Sequence, residues 1–162
     1  MTLNARFRHN SCGRIAVSSM HYLAAIILGV SIDQISKLLA DLYLSHFHSL
    51  IIIPNSLNLV LVHNYGAAYG ILQNQRWLLS GISIAVLIVL FIVKHKLVQN
   101  RLSHLGYTFF TAGIIGNLLD RLMRGYVIDF LDIGIIPVFN FADIMINIGL
   151  IMLIIDAFFS HE

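Results

Sequence analysis

Residues 77–93 read WLLSGISIAVLIVLFIV, a charge-free apolar run held between Arg76 and Lys94. Its length approaches the roughly 20 residues a helix needs to cross a hydrocarbon core. Charges cut out three similar stretches: 15–32 between Arg14 and Asp33, 102–119 between Arg101 and Asp120, and 140–159, which carries Asp143 in its first turn. Composition agrees, since 58% of the 162 residues are hydrophobic and only 11% charged, where a soluble domain carries roughly a quarter charged. We therefore read residues 1–162 as one α-helical membrane domain with four transmembrane helices. A net charge of +2, spread over basic residues that form no single patch, is too small to imply nucleic acid, and none is expected as a partner. Cys12 is the only cysteine, which excludes a disulfide framework or cysteine zinc site. No apolar run precedes it, so it reads as a plain thiol rather than a lipidated one.

A small extracytoplasmic β-sheet is expected between the first two helices, over about residues 42–64. Pro54-Asn55-Ser56 breaks this uncharged stretch, and Leu57, Leu59 and Leu61 then alternate with Asn58, Val60 and Val62. Period-two alternation after a turn signal reads as strand lying at the membrane interface. Arg6, Arg8 and Arg14 precede the first span, and Lys94, Lys96 and Arg101 fill the loop between spans two and three. Those six place both termini in the cytoplasm. The first span is expected to stay uncleaved, because Asp33-Gln34 follows it instead of a small-residue cleavage site.

On this map the outer ends of the helices gather polar residues. Asp33, Ser36 and Lys37 share a face at i, i+3 and i+4. Asn64, Gly66 and Gly70 lead into the second helix, Asn117, Asp120 and Arg121 close the third, Asp129 follows in a loop, and Asn140 and Asp143 open the fourth. Of eight acidic residues, Asp33, Asp41, Asp120, Asp129, Asp132 and Asp143 fall on this side. Carboxylates beside hydrocarbon are costly and need a partner or a task.

The blocks Asp33-Gln34-Ile35-Ser36-Lys37, Asn64-Tyr65-Gly66-Ala67-Ala68-Tyr69-Gly70, Gly116-Asn117-Leu118-Leu119-Asp120-Arg121, Val127-Ile128-Asp129-Phe130 and Phe139-Asn140-Phe141-Ala142-Asp143 resemble, in order, the signature blocks of the lipoprotein signal peptidases (signal peptidase II). The resemblance implies an aspartic endopeptidase of the bacterial inner membrane, with four helices, a β-cradle and an active site near the periplasmic face. It implies removal of the signal peptide from diacylglyceryl-modified prolipoproteins, on the N-terminal side of the lipidated cysteine. The implied catalytic pair is Asp129 and Asp143. Asp33, Lys37, Asn64, Gly66, Asn117, Asp120, Arg121 and Asn140 match residues that bind substrate or support the pair. The expected partners are the prolipoprotein, membrane lipid and globomycin-type inhibitors, with no cofactor and no metal.

Each residue also has a plainer reading. Asp143 and Asn140 suit the capping of a helix, Asp33–Lys37 an intrahelical pair, and Asp120–Arg121 a local salt bridge. Asn117 suits a helix–helix contact, and Asn64 and Gly66 a strand-to-helix turn. Asp132 reads as a solvated loop acid or a local hydrogen-bond acceptor. His46, His48 and His63 suggest a metal, but no tight motif such as His-Glu-x-x-His accompanies them. A proton-relaying transporter and a non-catalytic assembly factor are the rival classes. Charges clustered at one end, without an internal repeat, disfavour the transporter.

Overall fold

The computed structural model describes residues 19–44 and 49–159. The basic tail through Arg14, Cys12, the opening of the first expected span, and His46 and His48 lie outside the described residues. Four helices are present: α1 (Ser19–Leu44), α2 (Arg76–Leu97), α3 (Arg101–Met123) and α4 (Phe141–Phe159). Three run past the charges expected to end them, and α2 takes Lys94 and Lys96, expected in the following loop, into its last turn. In α1, Lys37 Nζ sits 2.8 Å from Asp33 Oδ2, both side chains wholly buried. The charges are neutralised inside the bundle, so the helix continues to Leu44. Residues 42–44, expected in the β-region, are therefore its last turn. α3 likewise continues beyond Asp120, whose carboxylate is buried.

Strands β1 (Leu50–Ile53), β2 (Leu57–Asn64) and β3 (Val127–Asp132) form one antiparallel sheet in the order β1-β2-β3. The third strand corrects the expectation of a loop around Asp129. It pairs Leu131 with Leu59, Asp129 with Val62 and Val127 with Asn64. Ile128 and Phe130 pack with Ala40 and Leu44 of α1, joined by Leu59 and Leu61 of β2. Successive strand side chains face opposite ways, so seating Ile128 and Phe130 against α1 turns Asp129 to the other side of the sheet.

α1, α2 and α4 are long and apolar enough to cross a membrane. Their outward side chains include Phe91 and Phe158, each 76% exposed, the inverse of a soluble core. α3 is more polar because it packs on the other three helices and turns Ser103, Thr108, Thr111, Asn117 and Asp120 inward. Asn100 caps its start, accepting from the backbone N–H of Leu102 and Ser103. Glycines let α4 approach closely: a Cβ on Gly149 would lie 2.4 Å from Phe110 N and 2.7 Å from Gly106 O.

Gly149→Ala forces α3 and α4 apart. The expected outcome is a loss of about 1–3 kcal/mol, read as a lowered thermal midpoint in detergent. Gly81→Ala, which meets nothing within 4 Å, leaves the midpoint unchanged or raises it. Equal midpoints for wild type and Gly149→Ala contradict this account of the contact.

Candidate active site

Asn140 precedes α4 and receives the Asp143 backbone N–H on Oδ1 at 3.0 Å, while its own backbone N–H reaches Asp143 Oδ2 at 3.2 Å. This reciprocal pair satisfies two donors at the helix start and fixes which way the Asn140 amide points. Asn140 Nδ2 is thereby aimed at Asp129 Oδ1, 2.6 Å away. The strand β3 and the start of α4 are thus joined by one side chain.

The other Asp129 oxygen, Oδ2, accepts from Asn64 Nδ2 at 2.9 Å. Asn64 is oriented in the same way, its Oδ1 accepting the Gly66 N–H at 2.9 Å. Asp143 Oδ1 accepts from Asn117 Nδ2 at 2.8 Å. Both carboxylates are therefore held by donors whose orientation is set from behind. Asp129 is only 3% exposed. Burial pushes its carboxyl up to about 6, the neighbouring Asp143 charge adds to the rise, and the Asn64 and Asn140 amides only partly oppose it.

Asp129 and Asp143 line one cleft of about 570 Å³, shared with Asn64, Asn117, Arg121 and Tyr69. Arg121 Nη2 donates to Gly66 O at 3.2 Å and Nη1 to Asn117 O at 3.4 Å, bridging the loop after β2 to α3. Gly66 is required by close approach, since a Cβ there would lie 2.7 Å from Ile71 O. The loop continues through Tyr69, Leu72 and Asn74, each at positive φ near 60°, conformations that non-glycine residues hold only under constraint.

Asp33, Lys37 and Asp120 stand behind the cleft and are wholly buried. Lys37 Nζ also lies 2.9 Å from Asp120 Oδ2. Asp33 Oδ1 accepts the Ala142 N–H at 2.9 Å, and Asp120 Oδ2 the Ile128 N–H at 3.3 Å. One ion cluster therefore pins the start of α4 and the strand bearing Asp129. The Asp33–Lys37 geometry is that of the intrahelical pair rather than a cleft lining. Asp120 pairs with Lys37 and Arg124, not with Arg121, which turns to the cleft. Gln34 and Arg124, not singled out from sequence, complete the cluster: Gln34 Nε2 donates to Asp120 Oδ1 and Arg124 to Gln34 Oε1, each at 3.1 Å. The i,i+4 spacing of Asp120 and Arg124 was the available signal.

His63 lies 3.5 Å from Asp41 Oδ1 and stacks on Tyr126. Among the described residues, no three histidine, cysteine or acidic side chains gather as metal ligands.

The sequence pattern that defines signal peptidase (SPase) II matches residues 25–159. The lipoprotein signal peptidase of Moorella thermoacetica is 39% identical, aligned over 83% of this chain and 90% of that protein. That of Brevibacillus brevis is also 39% identical, over 88% and 97%. A bacterial membrane enzyme solved by the in meso method at 1.9 Å superposes with a TM-score of 0.77 at 32% identity, covering 86% of this chain and 93% of that one.

The raised Asp129 has a thermodynamic signature. Below about pH 4 it is protonated whether folded or unfolded. Between there and about 6 the folded chain keeps a proton that the unfolded chain has released, so stability falls as pH rises through the window. Above it the loss amounts to about 2–3 kcal/mol. The thermal midpoint of wild type in detergent is expected to drop more between acidic and neutral pH than that of Asp129→Asn. The same drop in both proteins contradicts the assignment.

Proposed function

The chain belongs to the signal peptidase II family, and we propose that it is an aspartic endopeptidase whose catalytic pair is Asp129 and Asp143. Its substrate is a prolipoprotein already carrying diacylglycerol on its lipobox cysteine, cut on the N-terminal side of that cysteine. The observation that carries the reading is the convergence of the two carboxylates on one cleft, each gripped by two oriented N–H donors.

Two such groups sharing one proton supply a base and an acid together. The ionised member takes a proton from water as its oxygen attacks the peptide carbonyl. The protonated member donates to the carbonyl oxygen, and the released amine leaves with a proton. No covalent intermediate and no metal is required. Arg121, Asn64 and Gly66 form the wall that meets the substrate backbone, while Asn117 and Asn140 hold the pair and Asp33, Lys37 and Asp120 brace it from behind. Globomycin-type inhibitors are expected to occupy the same cleft.

We place the chain in the bacterial inner membrane with both termini in the cytoplasm and the cleft near the periplasmic face. The support is positional: Lys94, Lys96 and Arg101 flank the turn between α2 and α3, at the end of the bundle remote from the two aspartates.

The test is cleavage of a diacylglyceryl-modified prolipoprotein by purified wild type, Asp129→Asn and Asp143→Asn, with and without chelator. Wild type is expected to cut regardless of chelator, and each variant to lose about 10³-fold or more in kcat while keeping its fold. Near-normal cleavage by either variant removes that residue from the pair. Proton flux through wild type in sealed vesicles, without cleavage, favours the transporter reading.

A further inference from the structure

The Lys37 ammonium has three N–H donors, and the structure accounts for all three. Two meet Asp33 Oδ2 at 2.8 Å and Asp120 Oδ2 at 2.9 Å; the third meets Asn117 Oδ1 at 2.9 Å. Asn140 Nδ2 approaches that same oxygen at 3.3 Å. With its oxygen held by donors, Asn117 must turn Nδ2 the other way, onto Asp143 Oδ1. A cation on one end of an amide also makes the N–H at the other end a better donor.

The two aspartates differ in what surrounds them. Asp143 lies in the first turn of α4, where the positive end of the helix dipole favours an anion, and it accepts a backbone N–H there. Asp129 lies in mid-strand and, among the described residues, accepts only from the neutral side-chain amides of Asn64 and Asn140. We propose that Lys37 is a positioning residue, acting through Asn117 to keep Asp143 as the ionised member of the pair and so leave the shared proton on Asp129. This rests on the peptidase reading of the two aspartates. Asp143 then receives the proton of the attacking water and passes it to the leaving amine. Asp129 gives its proton to the carbonyl oxygen and regains it when the tetrahedral intermediate collapses. Both groups return to their starting state. Burial and the neighbouring Asp143 charge push the Asp129 carboxyl up, and these outweigh the smaller opposing pull of the Lys37 charge and the two amides.

The charged and titratable groups around the pair are Asp33 and Lys37 from α1, Asp120 and Arg121 from α3, Arg124 just past its end, His63 from β2, itself beside Asp41, and Tyr69 from the loop after β2. Among the described residues, only Lys37 reaches an aspartate of the pair through a single intervening amide whose two ends are both engaged.

Two arms test the proposal. Infrared difference spectra at about pH 5, below the raised Asp129 value, read the carbonyl stretch of a protonated carboxyl without substrate. Wild type is expected to show a band that Asp129→Asn lacks; persistence of the whole band in that variant overturns the proton placement. The second arm follows the pH dependence of kcat/KM. Asp33→Asn/Lys37→Gln removes one charge of each sign and leaves Asp120 paired with Arg124. Asn117→Leu cuts the relay with the ion cluster in place, and carries this arm alone if the double variant does not fold. A tenfold or greater fall in kcat is expected, with the acid-side limb of the profile moved up by about one pH unit. Lost activity with an unmoved limb overturns the role of Lys37. If folded wild type never cleaves the prolipoprotein, the peptidase reading fails, and the infrared arm still decides where the proton sits.

Discussion

A wholly buried ammonium is the constraint around which this molecule is arranged. Taking a charge out of water costs several kcal/mol even after relaxation, and a bundle faced with hydrocarbon offers little solvent to soften the cost. The Lys37 ammonium is stable there because every N–H has an acceptor and because Asp33 and Asp120 are each used a second time. Their remaining lone pairs take the backbone N–H groups of Ala142 and Ile128. The ions thus act as a jig. Removing one partner would strand a buried charge and also release the start of α4 or the strand carrying Asp129.

The packing of α3 follows from the same arrangement. Asp33 can reach the start of α4 only by passing close to α3, and Gly116 leaves the space: a Cβ there would fall 2.5 Å from Asp33 Oδ2. Gly113 and Gly149 keep α3 and α4 close along the contact. In lipid, where apolar side chains gain little by meeting one another, close backbone approach and interhelical hydrogen bonds supply much of the association. The small residues and the polar cluster are therefore two parts of one solution.

The spans were legible because hydrocarbon imposes a plain rule on composition. Their ends were not, because Asp33 and Asp120 look like stop signals until Lys37 and Arg124 are seen to neutralise them. The alternation from Leu57 to Val62 disclosed β2, whereas β3 is six residues long, contains two aspartates and pairs with a strand far away in sequence. Its inward Ile128 and Phe130 were a period-two signal too short to separate from a loop. The resemblance in the signature blocks pointed to Asp129 and Asp143, and the fold brings both to one cleft. It could not say how the blocks connect. Adjacent residues such as Asp120 and Arg121 do not share a helix face, so the structure pairs Asp120 with Arg124 and releases Arg121 to the cleft.

Placing Asp129 on a strand rather than a loop has a mechanical consequence. β3 is bonded to β2 on one side and, on the other, to Phe139, whose backbone exchanges hydrogen bonds with Leu131 at 2.8 and 3.0 Å. The carboxylate is thus clamped from both edges, and Phe139 leads directly into Asn140, the residue that ties Asp129 to Asp143. Among the described residues the other edge of the sheet is left to β1, whose Leu50, Ile51, Ile52 and Ile53 are all exposed. In water an apolar edge of that kind invites pairing with another chain. β1 thus carries the exposed apolar edge, while the opposite edge is given over to fixing the position of Asp129.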